Sequence, residues 1–416
     1  MTSDRLIQTD LGYFPEDWLP RTVGDYGPFV TSGSRGWASF YSESGSAFIR
    51  ITNLSRKWLY LDLSDLRFVR IPFNSSEGAR TQLRSGDMLV SITADIGIVG
   101  YITESIPKPA YINQHIALVR FDGSSINSRY TSYFLSSEIT QRTFRALTDA
   151  GAKAGMNLAT VRQLKLMVPP TLAEQEAIAN ALSDADAYIE SLEKLIEKKR
   201  AIKKGAMQEL LTGKRRLPGF SGEWKNVLLG NYADFFKGKG LPKSEISLAG
   251  AKKCIHYGEL FTTYQRIINE PISRTDATGD FVLSSSNDVL MPTSDVTPRG
   301  LATASSILAS GVILGGDILV IRPSAGLFGP YLSYCIKHSA EQILQLVTGT
   351  TVFHIYANDM KRFQFLLPGL EEQIAIIDFL EANQNLIDSL ERKLFKARLL
   401  KQGMMQELLT GRIRLV

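Results

Sequence analysis

Reactive side chains are scarce in this sequence. Its 416 residues include two cysteines, Cys254 and Cys335, and four histidines, His115, His256, His338 and His354. Two thiols give no disulfide framework, and neither they nor the histidines form a ligand-like cluster, so a disulfide-knit domain and a structural zinc site are not expected. No G-x-x-x-x-G-K-[ST] loop, no G-x-G-x-x-G after a strand and no H-E-x-x-H is present. Lys237-Gly238-Lys239-Gly240 has glycines but not the spacing of a nucleotide loop, and reads as a basic, flexible turn. No Ser/His/Asp or Cys/His arrangement stands out, so a catalytic centre is not expected. No apolar run reaches membrane-spanning length and MTSDRLIQTD is not a signal peptide, which leads to the expectation of a cytoplasmic protein.

Charge is nearly balanced, with a formal net of +5, but it is unevenly spread. Lys194 to Arg216 carries nine Lys/Arg against two Glu, and the last 26 residues carry seven against two. Such clusters suit a polyanion or an acidic partner, although a charge run at a helix end is also what a solvated face and the helix dipole favour.

What the chain does have is a repeat. Residues 174–213 and 372–411 align without a gap at an offset of 198, sharing Glu-Gln at one end and Met-Gln-Glu-Leu-Leu-Thr-Gly at the other. Each copy is almost free of helix breakers and closes on a glycine, where helices stop. Ile178, Leu182, Ala185, Ile189, Leu192 and Ile196 are spaced 4-3-4-3-4, and Ile376, Leu380, Asn383, Ile387, Leu390 and Leu394 repeat that rhythm. This is the period of a coiled-coil seam, and each helix would be roughly 55 Å long. Two such helices in one chain are expected to pack on each other. Antiparallel pairing keeps the domain before each helix at opposite ends, and the sequence alone leaves parallel pairing, or packing of each stripe on its own domain, open. Asn383 is a polar seam position, and by extrapolation Lys199, Lys203 and Lys401 also fall on the seam. There the coil is expected to loosen or the lysines to reach for solvent.

The repeat extends into the segments before the helices. Glu16-Asp17-Trp18 matches Gly222-Glu223-Trp224, and Ile49-Arg50 and Leu54 match Ile255-His256 and Leu260, all at offset 206. Gly86-Asp87-Met88-Leu89-Val90 is matched to Gly316-Asp317-Ile318-Leu319-Val320 at offset 230, both read as tight turns into core strands. Short apolar stretches broken by Gly, Asp, Asn and Ser, such as 47–51, 88–92, 98–102, 116–121 and 164–168, read as strands of a β-rich module. Helices are expected at 128–136, 138–147 and 331–346. The organisation is domain–helix–domain–helix: a first domain over 1–170, a helix over 171–213, a connector at 214–220, a second domain over 221–368, and a helix and tail over 369–416. The fold class is α+β, internally duplicated.

These stretches resemble one family. Pro169-Pro170 through Glu174-Gln175 and Pro368 through Glu372-Gln373 are similar to the helix entry of the DNA-specificity subunit of type I restriction–modification systems. Residues 207–213 and 405–411 resemble its helix exit, and Gly238-Lys239-Gly240 with Tyr257-Gly258-Glu259-Leu260-Phe261-Thr262-Thr263-Tyr264 resembles its G-K-G … YG-[DE]-L-[YF]-T-x-Y segment. The resemblance implies a non-catalytic DNA-binding chain with two target-recognition domains on an antiparallel coiled coil. Each domain would read half of an asymmetric bipartite site on double-stranded DNA, with the helices setting the spacer. The implied partners are two modification subunits, which use S-adenosylmethionine to methylate adenine N6, and two restriction subunits using ATP and Mg2+; no cofactor is expected in this chain. A scaffold with two protein-binding heads on a coiled-coil spacer is the alternative.

Base reading and phosphate positioning need polar and basic side chains on loops. In the first domain Arg35, Trp37, Arg50, Asn53, Arg56 and Lys57 lie in one polar, aromatic-interleaved region, and His115 follows Asn113-Gln114. In the second the candidates are Lys237, Lys239, Lys243, His256, Tyr257, Tyr264, Gln265 and Arg266.

Overall fold

In a computed structural model, which describes residues 5–33, 35–72, 74–149 and 156–415, the two segments of matched rhythm are unbroken α-helices of 39 residues, Leu172–Leu210 and Leu370–Leu408. Each is followed by a glycine with positive φ, Gly213 at 67° and Gly411 at 69°, a conformation that other residues reach only with strain. The chain divides into two units, Met1–Lys194 with Arg392–Val416, and Leu195–Glu391. Each unit therefore holds one β-rich domain and part of both long helices.

Inside each unit the two helices run antiparallel as a coiled coil. In the first unit, Asp186 meets Lys401 at 2.5 Å and Glu193 pairs with Arg398. In the second, Arg200 meets Glu391 at 2.6 Å and Lys203 meets Gln384 at 2.7 Å. Ile189, Leu192, Ile196, Ile387, Leu390 and Leu394 are buried, as the rhythm requires. The ends of the stripes serve a second purpose. Ile178 and Leu182 enter the first domain's core with Phe14, Trp18, Tyr130 and Phe134, and Leu408 at the end of the other helix and Leu409 just past it join them. Ile376, Leu380, Leu210 and Leu211 do the same in the second core with Tyr331, Tyr334 and Phe363. Asn383 does not reach across the pair; its amide donates to Phe379 O of its own helix at 2.8 Å. Lys203 and Lys401 depart from expectation more strongly. They turn inward rather than toward solvent, because tyrosine rings and polar partners are waiting there.

The first domain is built on a four-stranded antiparallel sheet in the order Phe29–Ser32, Ile116–Arg120, Met88–Ser91, Val99–Tyr101. A second sheet pairs Ala110–Ile112 in parallel with Ser46–Ile49 and continues through Arg67–Val69. The second domain repeats the plan with Ala233–Lys237, Ile318–Pro323, Asp288–Pro292 and Ser305–Ile307, and with Lys252–Ile255 parallel to Ile313–Leu314. The helices Ser128–Ser136 and Glu138–Asp149 form as expected, whereas 331–346 is two helices, Gly329–His338 and Ala340–Leu346, broken at Ser339.

Strand order corrects one match. The Met88 strand lies between the Ile116 and Val99 strands, and its counterpart is the Asp288 strand, between the Ile318 and Ser305 strands. Asp87 thus corresponds to Asp288 rather than Asp317. Both are buried, and Arg120 grips Asp87 at 2.6 Å as Arg322 grips Asp288 at 2.8 Å. The turn residue before each has positive φ, Gly86 at 90° and Asn287 at 80°. Asp317 opens a similar turn into a core strand, which is why the short motif misleads.

The glutamate at each helix entry binds the chain that leaves the other helix. Glu174, 1 % exposed, accepts from Arg414 at 2.8 Å, and Arg414 also bonds both oxygens of Asp17 at 3.0 Å. Glu372, 3 % exposed, accepts from Arg216 at 2.9 and 2.5 Å and from the indole of Trp224 at 3.0 Å. Gln175 accepts from Asn127 N and Gln373 from Phe328 N, each at 2.8 Å, so the glutamines tie each long helix to the start of a domain helix.

Removing one partner of a buried charge pair leaves the other uncompensated, so Arg414→Met is expected to destabilise the first unit by about 3–5 kcal/mol. The double variant Arg414→Met/Glu174→Gln is expected to be less damaged than Arg414→Met alone, and denaturant midpoints of both against wild type check this.

Candidate nucleic-acid interface

Three loops meet at the same place in each domain. In the first, Gly33 follows the Phe29 strand and lies against the backbone of Ile112 and Asn113; a Cβ there would sit 2.2 Å from Ile112 O. Asn113 N in turn donates to Ile49 O at 3.0 Å. In the second, a Cβ on Gly238 would sit 2.0 Å from Gly315 O, and Gly315 N donates to Ile255 O at 2.9 Å. Gly238 therefore permits a backbone crossing, whereas the space at Gly240 is open. Arg35, Arg50 and His115 lie within two residues of these crossing positions in one domain, and Lys237, Lys239 and His256 lie next to them in the other.

The candidates differ in what they have to spare. Arg35, Lys57, Lys243 and Gln265 are exposed. Lys237 pairs with Asp317 at 3.7 Å and Lys239 with Asp280, both pairs at the surface. Arg50 is held by Asp65 at 2.7 Å, and Arg56 bonds Asp95 and Ile96 O. His115 is half-buried with its Nδ1 on Thr93 Oγ1. Trp37 is 3 % exposed, stacked on Phe48 at 5.7 Å and donating to Glu77 at 3.2 Å, so its ring is committed to the core.

Asn53 and Glu259 share one structural task. Asn53 accepts from Arg50 N at 2.9 Å and Glu259 from His256 N at 2.7 Å, each closing the turn that leaves the parallel strand. Asn53 is buried and fully engaged, since its amide also donates to Asp62 O. His256 leans on Tyr257 at 4.6 Å, and its Nδ1 accepts from Gly258 N. Tyr257 packs half-buried on the Ile255 cluster, and Tyr264 accepts from Ile272 N at 2.9 Å, its hydroxyl pushed up by burial. Arg266 lies elsewhere, with its guanidinium 4.6 Å over the Tyr334 ring beside the long helices.

Burial, then Arg266, hold the amine of Lys203 down to about 8. Cys254 and Cys335 are buried and their thiols pushed up by desolvation, to about 11 and about 12, so neither is a ready nucleophile. Among the described residues no group of His, Cys, Asp and Glu could hold a metal ion. No helix among them is long and apolar enough to cross a membrane.

A duplicated domain–helix plan, with one polar loop junction per domain, defines a class of two-headed binding protein. The family model for the type I restriction modification DNA specificity domain matches residues 17–200 and again 221–397. The chain belongs to that family, whose members are non-catalytic specificity subunits. It is 25% identical over 427 residues to a putative type I restriction enzyme MjaX specificity subunit of Methanocaldococcus jannaschii, covering 98% of this chain and 96% of that protein. A second subunit of that organism, of the MjaVIII enzyme, is 26% identical over 60% of this chain and 62% of its own length. The fold is similar to the crystal structure of the type I S subunit from M. genitalium, with a TM-score of 0.59 at 14% identity, covering 98% of this chain and 99% of that one. A chain from a study of complex assembly and conformational transition of the type I R-M system matches at 0.51 and 16%, covering 96% and 99%.

Two outcomes follow. Gly238→Ala is expected to cost about 1–3 kcal/mol or more through overpacking, whereas Gly240→Ala, with open space at its Cβ, is expected to be neutral; thermal melts separate them. Because Lys203 releases its proton in the folded chain at about 8, below the ordinary 10.5, the unfolded chain binds more protons between those values. Stability is therefore expected to rise from pH 8 toward 10, and Lys203→Met to flatten that rise in pH-dependent denaturation.

Proposed function

We propose that this chain reads an asymmetric, split DNA site as the specificity subunit of a type I restriction–modification complex. The observation that carries the proposal is the loop junction, built twice on one frame with different side chains. Arg35, Arg50 and His115 present one donor set, and Lys237, Lys239 and His256 present another, so each half-site would have its own groove pattern. The outlying candidates Arg56, Lys57, Lys243, Tyr264, Gln265 and Arg266 would add phosphate contacts, and Trp37, Asn53 and Tyr257 would hold the loops. The helices, each about 58 Å long at 1.5 Å per residue, would set the unread spacer and give modification and restriction subunits a surface to dock on. Two modification subunits would supply adenine-N6 methylation, and two restriction subunits would supply ATP-driven cleavage.

Mapping N6-methyladenine across the genome of cells with and without this gene tests the reading. Loss of one split, non-palindromic motif is the expected result; an unchanged methylation pattern would sink it and favour a protein scaffold. With the modification partner present, Lys237→Ala/Lys239→Ala is expected to weaken binding to the cognate duplex about tenfold or more, and to lower the salt slope if the contacts are to phosphate.

A further inference from the structure

A pocket of about 480 Å³ lies in the second unit, where the long helices meet the helix Gly329–His338. Arg200, Lys203, Lys204, Arg266 and Lys337 line it, with Gln384 beside Lys203. Glu391 also lines the pocket, and Glu381 and Asp388 act on Lys203 without an ion-pair contact to it among the described residues. Glu391 pairs with Arg200 at 2.6 Å, Glu381 accepts from the Tyr334 hydroxyl at 2.5 Å, and Asp388 accepts from Gln384 at 2.6 Å. Lys203, 6 % exposed, makes its hydrogen bond to an amide oxygen. Arg266 Nε is buried with no hydrogen-bond acceptor among the described residues.

The first unit shows what such a pocket looks like when it is neutralised. Lys401, the counterpart of Lys203 at offset 198, also lies over a tyrosine, Tyr133. There, however, Asp186 meets it at 2.5 Å, while Asp95 pairs with Arg56 and Glu138 with Arg145. At the position matching Asp186, the second unit has Gln384. A buried cation whose direct hydrogen-bond partner is a neutral amide is costly, and an entering anion relieves that cost.

We propose that the second unit's pocket binds a phosphate group. Arg266 and Lys203 would supply the fork and point charge that suit a tetrahedral oxyanion, and Lys204 and Lys337 the outer charge. The volume exceeds that of a bare phosphate and leaves room for whatever carries it, a DNA backbone or a free phosphate ester. The site is independent of the base-reading loops.

The test is calorimetric titration of the full chain with inorganic phosphate in chloride buffer. One bound phosphate per chain is expected. Arg266→Gln, and Gln384→Glu, which restores a carboxylate where the first unit has one, are each expected to weaken it at least about tenfold. Arg145→Gln, in the first unit's pocket, is expected to leave it unchanged, and melts without phosphate confirm that the variants fold. Salt titration of binding to a non-specific duplex separates the sources: a DNA phosphate lowers the slope by about one in Arg266→Gln, and a free ester leaves it alone. No phosphate binding, or equal binding by Arg266→Gln, overturns the proposal, including the case in which that variant instead loses assembly with a protein partner. A chain that takes phosphate but selects no DNA motif would leave this inference standing while the base-reading proposal fails.

Discussion

The two buried glutamates at the helix entries, Glu174 and Glu372, are the constraint on which the rest of the structure depends. A carboxylate with almost no exposure is tolerated only when an opposite charge meets it, and Arg414 and Arg216 do so. Each arginine lies just past a positive-φ glycine that ends the other long helix. The two pairs therefore fix where one helix begins against where the other ends, and so set the antiparallel register. The adjoining glutamines extend this constraint to the domains by capping the backbone ahead of Ser128–Ser136 and Gly329–His338.

Above that frame the two domains keep what geometry demands and vary what it does not. The crossing at Gly33 and Gly238 and the Asp–Arg grip beneath the central strand are present in both. Where no such constraint acts, Arg50 faces His256 in the match and Arg35 has no basic twin. Side chains at the loop junctions are free to diverge because they carry little of the fold.

The inward-turned lysines Lys203 and Lys401 show the same logic within the helices. Both stand at seam positions, and both pack on a tyrosine that anchors a carboxylate, Tyr133 on Asp186 and Tyr334 on Glu381. One difference, Asp186 against Gln384, leaves Lys203 bonded to an amide oxygen where Lys401 has a carboxylate. The loss of one carboxylate charge thus separates a closed ion pair from a cationic pocket.

The sequence by itself determined the duplication, the two helices with their glycine ends, the β-rich character of the domains and the family. Apolar period and gapless repetition are local and survive in one dimension. Only the tertiary structure decided that Asp87 corresponds to Asp288, that Trp37 and Asn53 are inward-facing, and that Arg266 belongs to the helix pocket. Those facts depend on which strands are neighbours and which charges share a cavity, and residues far apart in the chain carry no local mark of either.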